Sequence, residues 1–223
     1  MPQDNKLSDK RILVIGLGRF GSSLALELVN HGWEVLGVDS SPRVVQIFGE
    51  SLTHTVIADS TDDEALRQIG AAQFSRAVVA IGTHLEESIL TTSQLVDLGV
   101  KDIWAKATSR RHGRILEQVG AHHVVLPEHD MGERVAHLVS GRMLDYVELE
   151  EGFSLIKTKA PQTLIGRSLR ETKVRQRFGI TVVSVKRVGA SFTYATEETV
   201  LHKGDVIVVA GRTKDVERFA ESS

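Results

Sequence analysis

The sequence predicts an α/β protein, a doubly wound parallel sheet over the first two thirds of the chain followed by a small α+β domain. Three observations carry this. Short β-branched runs alternate with helix-period segments up to about residue 126, several of those runs are apolar on both faces, and the period changes after about residue 150. Strands separated by crossover helices pair in parallel, and a strand covered by helices on both sides has no polar face.

The expected strands of the first domain are Arg11–Ile15, Glu34–Val38, Thr53–Ala58, Arg76–Ile81, Asp102–Ala107 and His122–Leu126. AVVAI and HHVVL are the clearest of the doubly apolar runs. Helices fall between the strands, near Phe20–His31, Arg43–Phe48, Asp62–Ile69, Leu85–Leu98 and Arg111–Val119. Three of them stop at a glycine suited to a left-handed cap: His31-Gly32, Leu98-Gly99 and Val119-Gly120. A longer helix, Met131 to Tyr146, carries apolar Val135, Leu138, Val139 and Leu144 and is expected to bridge out of the first domain. The remainder gives strands Phe153–Lys159, Ile180–Arg187, Phe192–Ala195 and Asp205–Ala210, with helical pieces at Ser168–Arg177 and Lys214–Phe219. The expected division is a polar extension over 1–9, a first domain with its bridging helix over 10–146, and a C-terminal domain over 147–223.

Composition sets the outer limits. With 223 residues, 25% charged and 41% apolar, the chain has material for one large or two small soluble domains. No apolar run approaches the ~20 residues of a membrane-spanning helix. The start, MPQDNKLSDK, lacks the apolar core of a signal peptide, so a cytoplasmic protein is expected. The absence of cysteine excludes disulfides, zinc-thiolate sites and thiol nucleophiles. The net charge of −2 is divided unevenly, with −6 over residues 1–149 and +4 over 150–223. An acidic front half argues against nucleic acid as a partner.

The sharpest motif is Gly16-Leu17-Gly18-Arg19-Phe20-Gly21, between the strand RILVI and the helical SSLALELV. In this context Gly16 makes a tight turn, Gly18 lets the backbone approach phosphate, and Gly21 permits close helix–strand packing. This is the fingerprint of a Rossmann-like nucleotide site. Asp39 ends the second strand, where a carboxylate can accept both ribose hydroxyls and repel a 2′-phosphate, which disfavours NADP. NAD, ATP, ADP and AMP remain open. Arg19 places a cation in the phosphate loop, which suits a chain of two or three phosphates. Asp59-Ser60 end the third strand and are expected beside the adenine, while Ser60 or Thr61 also reads as a helix N-cap. Ser40, Phe20, Ile81 and Gly82 complete the expected nucleotide contacts.

Catalytic signals are weak. Hydride transfer needs a proton donor beside the cofactor, and the only tail histidine, His202 in LHKGD, has no evident carboxylate partner and reads as a turn residue. No G-x-S-x-G occurs, and the glycine loop lacks the Lys-Ser/Thr ending of an NTP-hydrolysing loop. His129, Glu133 and His137 recur at spacings of four, but a fourth zinc ligand is missing and a solvated helix face is favoured. A hard cation held by Glu128 together with nucleotide phosphates needs fewer protein ligands.

Taken in order, VIGLGRFGSSLA, VIADSTDDEAL, VVAIGTHLEESILTT, DIWAKA, ILEQVGAHHVVLPEHDMGERVAH, FGITVVSVKR and LHKGDVIVVAG resemble the RCK subunits (regulators of K+ conductance) of bacterial K+ transport, of the KtrA type. The resemblance covers nearly the whole chain, with TrkA-N and TrkA-C domains. It implies a non-enzymatic cytoplasmic regulator whose dimers assemble into an octameric ring beneath a membrane-embedded KtrB-type K+-translocating subunit. It also implies that ATP and ADP bind the first domain and favour different ring shapes. Arg19 would reach the γ-phosphate, and Lys106 would lie near it. Glu128 would help hold Mg2+, Ca2+ or Na+ at the dimer interface. His129 departs from the Lys or Arg more usual there. Similar C-terminal domains bind cyclic di-AMP, with Arg175 as the matching arginine; a solvated helix face reads equally well for the cluster Arg167, Arg170, Lys173, Arg175 and Arg177. An NAD(H)-binding TrkA-like regulator and a small NAD-dependent oxidoreductase are the competing readings.

Overall fold

The structure, a computed structural model, describes residues 10–141 and 143–221, so the expected extension over 1–9 lies outside the described residues. Contacts divide the chain into two compact units that part after His129. The boundary drawn from sequence, after residue 146, counts the bridging helix with the first domain.

The first unit runs β1 (Arg11–Ile15), α1 (Arg19–Asn30), β2 (Glu34–Asp39), α2 (Pro42–Phe48), β3 (His54–Ile57), α3 (Asp63–Gln68), β4 (Arg76–Val79), α4 (Leu85–Asp97), β5 (Asp102–Lys106), α5 (Arg110–Gln118) and β6 (His123–Val125). The strands pair in parallel in the order β3-β2-β1-β4-β5-β6. The direction of winding reverses between β1 and β4, where doubly wound sheets open a crevice at the carboxyl ends of their strands. Alternation along β1 explains the two-faced core. Leu13 and Ile15 pack with Val79, Ile103, Leu66, Leu95 and Leu116 on one face, and Ile12 and Val14 pack with Val35, Val78 and Ala25 on the other. The expected glycine stops hold, with Gly32, Gly99 and Gly120 all at positive φ.

The chain leaves β6 through α6 (Pro127–Val139), then forms β7 (Asp145–Glu150), β8 (Phe153–Lys159), α7 (Leu169–Thr172), α8 (Val174–Phe178), β9 (Ile180–Lys186), β10 (Phe192–Tyr194), β11 (Val206–Arg212) and α9 (Thr213–Glu221). The second sheet is antiparallel, in the order β10-β9-β11-β8-β7. Its core joins Ile156, Ile180, Ile207 and Val209 to Val216 and Phe219 of α9, and the Phe178 and Phe219 rings meet edge to face at 5.2 Å.

Two expected elements are corrected. The bridging helix starts at Pro127, a residue suited to a first helical turn, and ends at Val139, two residues before Gly141 turns the chain at φ 74°. Residues 145–150, read partly as helix end, form β7: Tyr146 turns inward and pairs with Ile156, while Val147 faces outward. The expected helix 168–177 is two short helices broken at Lys173, whose φ of 49° interrupts helical geometry. Ser168 and Glu171 form a reciprocal capping box at its start.

Candidate functional site

A cavity of about 630 Å³ opens at the carboxyl end of the parallel sheet. Gly16, Gly18, Arg19, Phe20, Asp39, Ser40, Asp59, Ser60, Ile81, Gly82, Lys106 and Glu128 all line it. Of the residues expected at the nucleotide, Gly21 alone is absent from the wall. Its place is structural, because a Cβ there would collide with the Gly16 carbonyl oxygen and sit 2.9 Å from the Ala80 Cβ.

The glycine turn is built as the motif requires. Gly16 holds φ at +89°, and its N–H donates to the Val38 carbonyl at 2.8 Å, tying the turn to the end of β2. Gly18 is the N-cap of α1 and has open space where a side chain would begin. The first turn of α1 carries neither an acidic residue nor a side-chain cap, so the helix start that borders the cavity has no built-in side-chain acceptor. Asp39 braces this turn from the neighbouring strand. Its Oδ2 accepts from Leu17 N–H at 2.8 Å and its Oδ1 from Ser41 N–H at 2.9 Å. Each carboxylate oxygen keeps a second lone pair for a hydroxyl donor.

Asp59 and Ser60 sit at the far end of β3. Asp59 Oδ1 accepts from both N–H and Oγ1 of Thr61, and these bonds, the side-chain one foremost, hold its carboxyl below the usual range. Ser60 is buried, with Oγ 2.8 Å from Thr91 Oγ1. Neither Ser60 nor Thr61 caps α3. Asp62 does so, accepting from Glu64 N–H at 2.9 Å, since it alone stands directly before the first helical residue.

On the opposite strand, Lys106 at the end of β5 is only 10% exposed and donates to Glu128 Oε1 at 2.6 Å. Its ammonium lies 5.6 Å from the Phe20 ring centroid. The Lys106 hydrogen bond, and less strongly the charge of Arg19, hold the Glu128 carboxyl below the usual range. Arg19, Lys106 and Glu128 therefore share one electrostatic neighbourhood. Sequence reasoning missed the polar wall residues Thr83, His84, Glu87 and Thr108. They follow the ends of β4 and β5, so the crevice rule for parallel sheets was the signal that points to them. His84 Nδ1 lies 3.6 Å from Glu87 Oε1 at the start of α4.

The other candidates lie elsewhere. His137 stacks on Tyr146 with centroids 4.0 Å apart and lies 3.8 Å from Glu217. Among the described residues no group of three or more His, Asp or Glu side chains is placed to hold a metal ion. His202 closes the turn before β11, where its backbone N–H donates to buried Asp205 Oδ2 at 2.8 Å while its ring Nδ1 stays 3.9 Å from that oxygen. Arg175 borders a second cavity of about 440 Å³ and donates to Thr181 Oγ1 at 3.2 Å. In the same wall Arg170 is paired with Glu197, and it also reaches Glu198 at 2.6 Å.

Comparison with known proteins matches residues 12–127 to the TrkA-N domain and residues 154–222 to the TrkA-C domain. The chain is 39% identical over 211 residues to Ktr system potassium uptake protein C of Bacillus subtilis (strain 168), covering 94% of this chain and 96% of that one. It is 35% identical over 215 residues to Ktr system potassium uptake protein A of the same organism, covering 96% and 97%. The fold also matches the crystal structure of the GsuK RCK domain with a TM-score of 0.66 at 20% identity, over 100% of this chain and 48% of that one. A nucleotide-fold front half, a small antiparallel C-terminal domain and near full-length identity to Ktr proteins together establish that the chain belongs to the KtrA-type RCK family of potassium uptake proteins.

Proposed function

We propose that this chain is a nucleotide-sensing regulatory subunit, not an enzyme, that gates a membrane K+-translocating protein from the cytoplasmic side, with ATP and ADP favouring different states. The observation that carries the reading is the joint presence of Arg19 and Lys106 with the glycine turn and Asp39 in the wall of one cavity. Asp39 accepts the ribose hydroxyls, the Gly16–Gly18 turn and the α1 N-terminus take the first phosphates, and Arg19 with Lys106 faces the terminal phosphates. Asp59, Ser60, Ser40 and Ile81 complete the wall around the base and sugar, and Phe20 and Gly82 pack against Lys106 at the phosphate end.

ATP and ADP share base, sugar and two phosphates, so only contacts to the γ-phosphate bias one state over the other. A single such contact of about 1.4 kcal/mol shifts an equilibrium tenfold, and an assembly repeats it in every subunit. Among the described residues no group of three metal-ligating side chains forms, and Glu128 is already bonded to Lys106, so a cation there needs phosphate oxygens or a second copy of Glu128. This need supports an assembly of dimers into an octameric ring. The cavity beside Arg175 supports a dianionic second ligand of the cyclic di-AMP type, with Lys173 as its other cation.

Mass spectrometry of nucleotides released from the purified protein tests the reading. ATP and ADP are the expected species. NAD(H) as the main species would assign the chain to the dinucleotide-binding regulators instead.

A further inference from the structure

Lys106 and Glu128 form an unequal pair. The ammonium is held in place: its side chain is 10% exposed, the Phe20 ring lies 5.6 Å away, and Gly82 packs so close that a Cβ there would stand 3.0 Å from Nζ. The carboxylate is 64% exposed, at the very start of α6. A cation this deeply set requires an anionic partner, and removing that partner leaves a costly unpaired charge. The chain supplies the partner from its own Glu128, at 2.6 Å.

We propose that Glu128 is an internal competitor for phosphate at Lys106, so that a phosphate-bearing nucleotide binds by displacing the Glu128 carboxylate from the Lys106 ammonium. This rests on the nucleotide reading of the cavity and adds to it a residue that sets affinity by opposing the ligand. The chemistry of exchange is even-handed: carboxylate and phosphate oxygens are both charge-assisted acceptors for an ammonium. The geometry makes Glu128 the group that moves, because it is exposed and its partner is fixed. The positive charge of Arg19 also bears on Glu128, so phosphate oxygens meet the carboxylate at both cations. Displacement then has a consequence that a purely supportive role would not have. Losing the carboxylate should strengthen binding, and only for ligands that carry phosphate.

The test is calorimetric titration of adenosine and of ADP, in EDTA so that no divalent cation bridges Glu128 to phosphate. The proteins are the full chain, Glu128→Gln, Lys106→Met and the double variant. Glu128→Gln is expected to bind ADP about fivefold more tightly than the unaltered chain, the value of about one exposed charged pair, and to bind adenosine equally well. In the Lys106→Met background the Glu128→Gln gain should vanish. Unchanged or weaker ADP binding by Glu128→Gln overturns the proposal. So does a gain that persists without Lys106, which would mean simple repulsion rather than competition. Should Lys106→Met fail to bind adenosine, the contrast between ADP and adenosine in Glu128→Gln alone decides. If the unaltered chain binds neither compound, the nucleotide reading itself falls, an outcome distinct from failure of the competition.

Discussion

Asp39 commits both carboxylate oxygens to the backbone, accepting from Leu17 and Ser41, and still keeps lone pairs for a ribose. Asp39→Ala should therefore show two effects. Loss of two half-buried charged hydrogen bonds is expected to cost about 2 kcal/mol in urea denaturation, and ADP affinity should fall about a hundredfold by titration. His112 gives a pH prediction. It is buried, its Nδ1 accepts from Thr108 N–H at 3.3 Å, and burial lowers its pKa. The unfolded chain then binds a proton that the folded chain resists, so stability should decline as pH falls below about 6.5. His112→Asn should flatten that slope in denaturation measured from pH 7 to 5. At this scale the legible residues were those a backbone conformation or a motif position demands, namely Gly16, Gly18, Arg19 and Asp39. The Lys106–Glu128 bond spans 22 residues and two elements, and residue spacing carries no sign of it. His84 and Glu87 lie in no motif, and only the crevice rule for the strand ends of a parallel sheet points to them.

Gly21 shows what an element junction tolerates. Its missing Cβ lets α1 cross β1 against the Gly16 carbonyl, so Gly21→Ala is expected to destabilise the first unit by about 3 kcal/mol and to weaken ADP binding with it. A second junction joins α6 to β7, where Arg134 donates twice to Asp145 Oδ1, at 2.7 and 3.1 Å, and Tyr146 N–H donates to the same oxygen. The Arg134 bonds hold the Asp145 carboxyl below the usual range. Their stabilisation is complete above about pH 3.9 and is lost as acid titrates the carboxyl below that value. Asp145→Asn should thus lower the unfolding midpoint at pH 7 and cost less at pH 3. The strands and helices of the first unit were legible because burial on both faces leaves a doubly apolar signal and glycines end the helices. β7 was not legible, because the expected helix was carried across Ser140-Gly141, where the chain in fact turns, and the outward face of DYVELE keeps Val147 and Leu149. Lys173 hid the break between α7 and α8, since a non-glycine at positive φ gives no warning in sequence.

As a whole the chain pairs an acidic nucleotide-fold unit with a basic C-terminal unit, in the family of Ktr potassium uptake proteins. Among the described residues no helix is long and apolar enough to cross a membrane. The cation site we propose at Glu128, completed by a second copy of that residue, predicts an oligomer, and light scattering should give a mass several times the 24.5 kDa chain. A species near 24.5 kDa at micromolar concentration would contradict the assembly. The fold class was legible from the change of period, whereas the parting after His129 lies well before the boundary, after residue 146, that period and charge suggested, and assembly leaves no comparable periodic trace. The central claim is that this chain tells ATP from ADP by its terminal phosphate, through Arg19. Calorimetric titration of both nucleotides into the unaltered chain and Arg19→Ala tests it most directly. The account predicts that Arg19→Ala lowers ATP affinity about tenfold while ADP affinity changes less than about twofold; an equal loss for both nucleotides would contradict it.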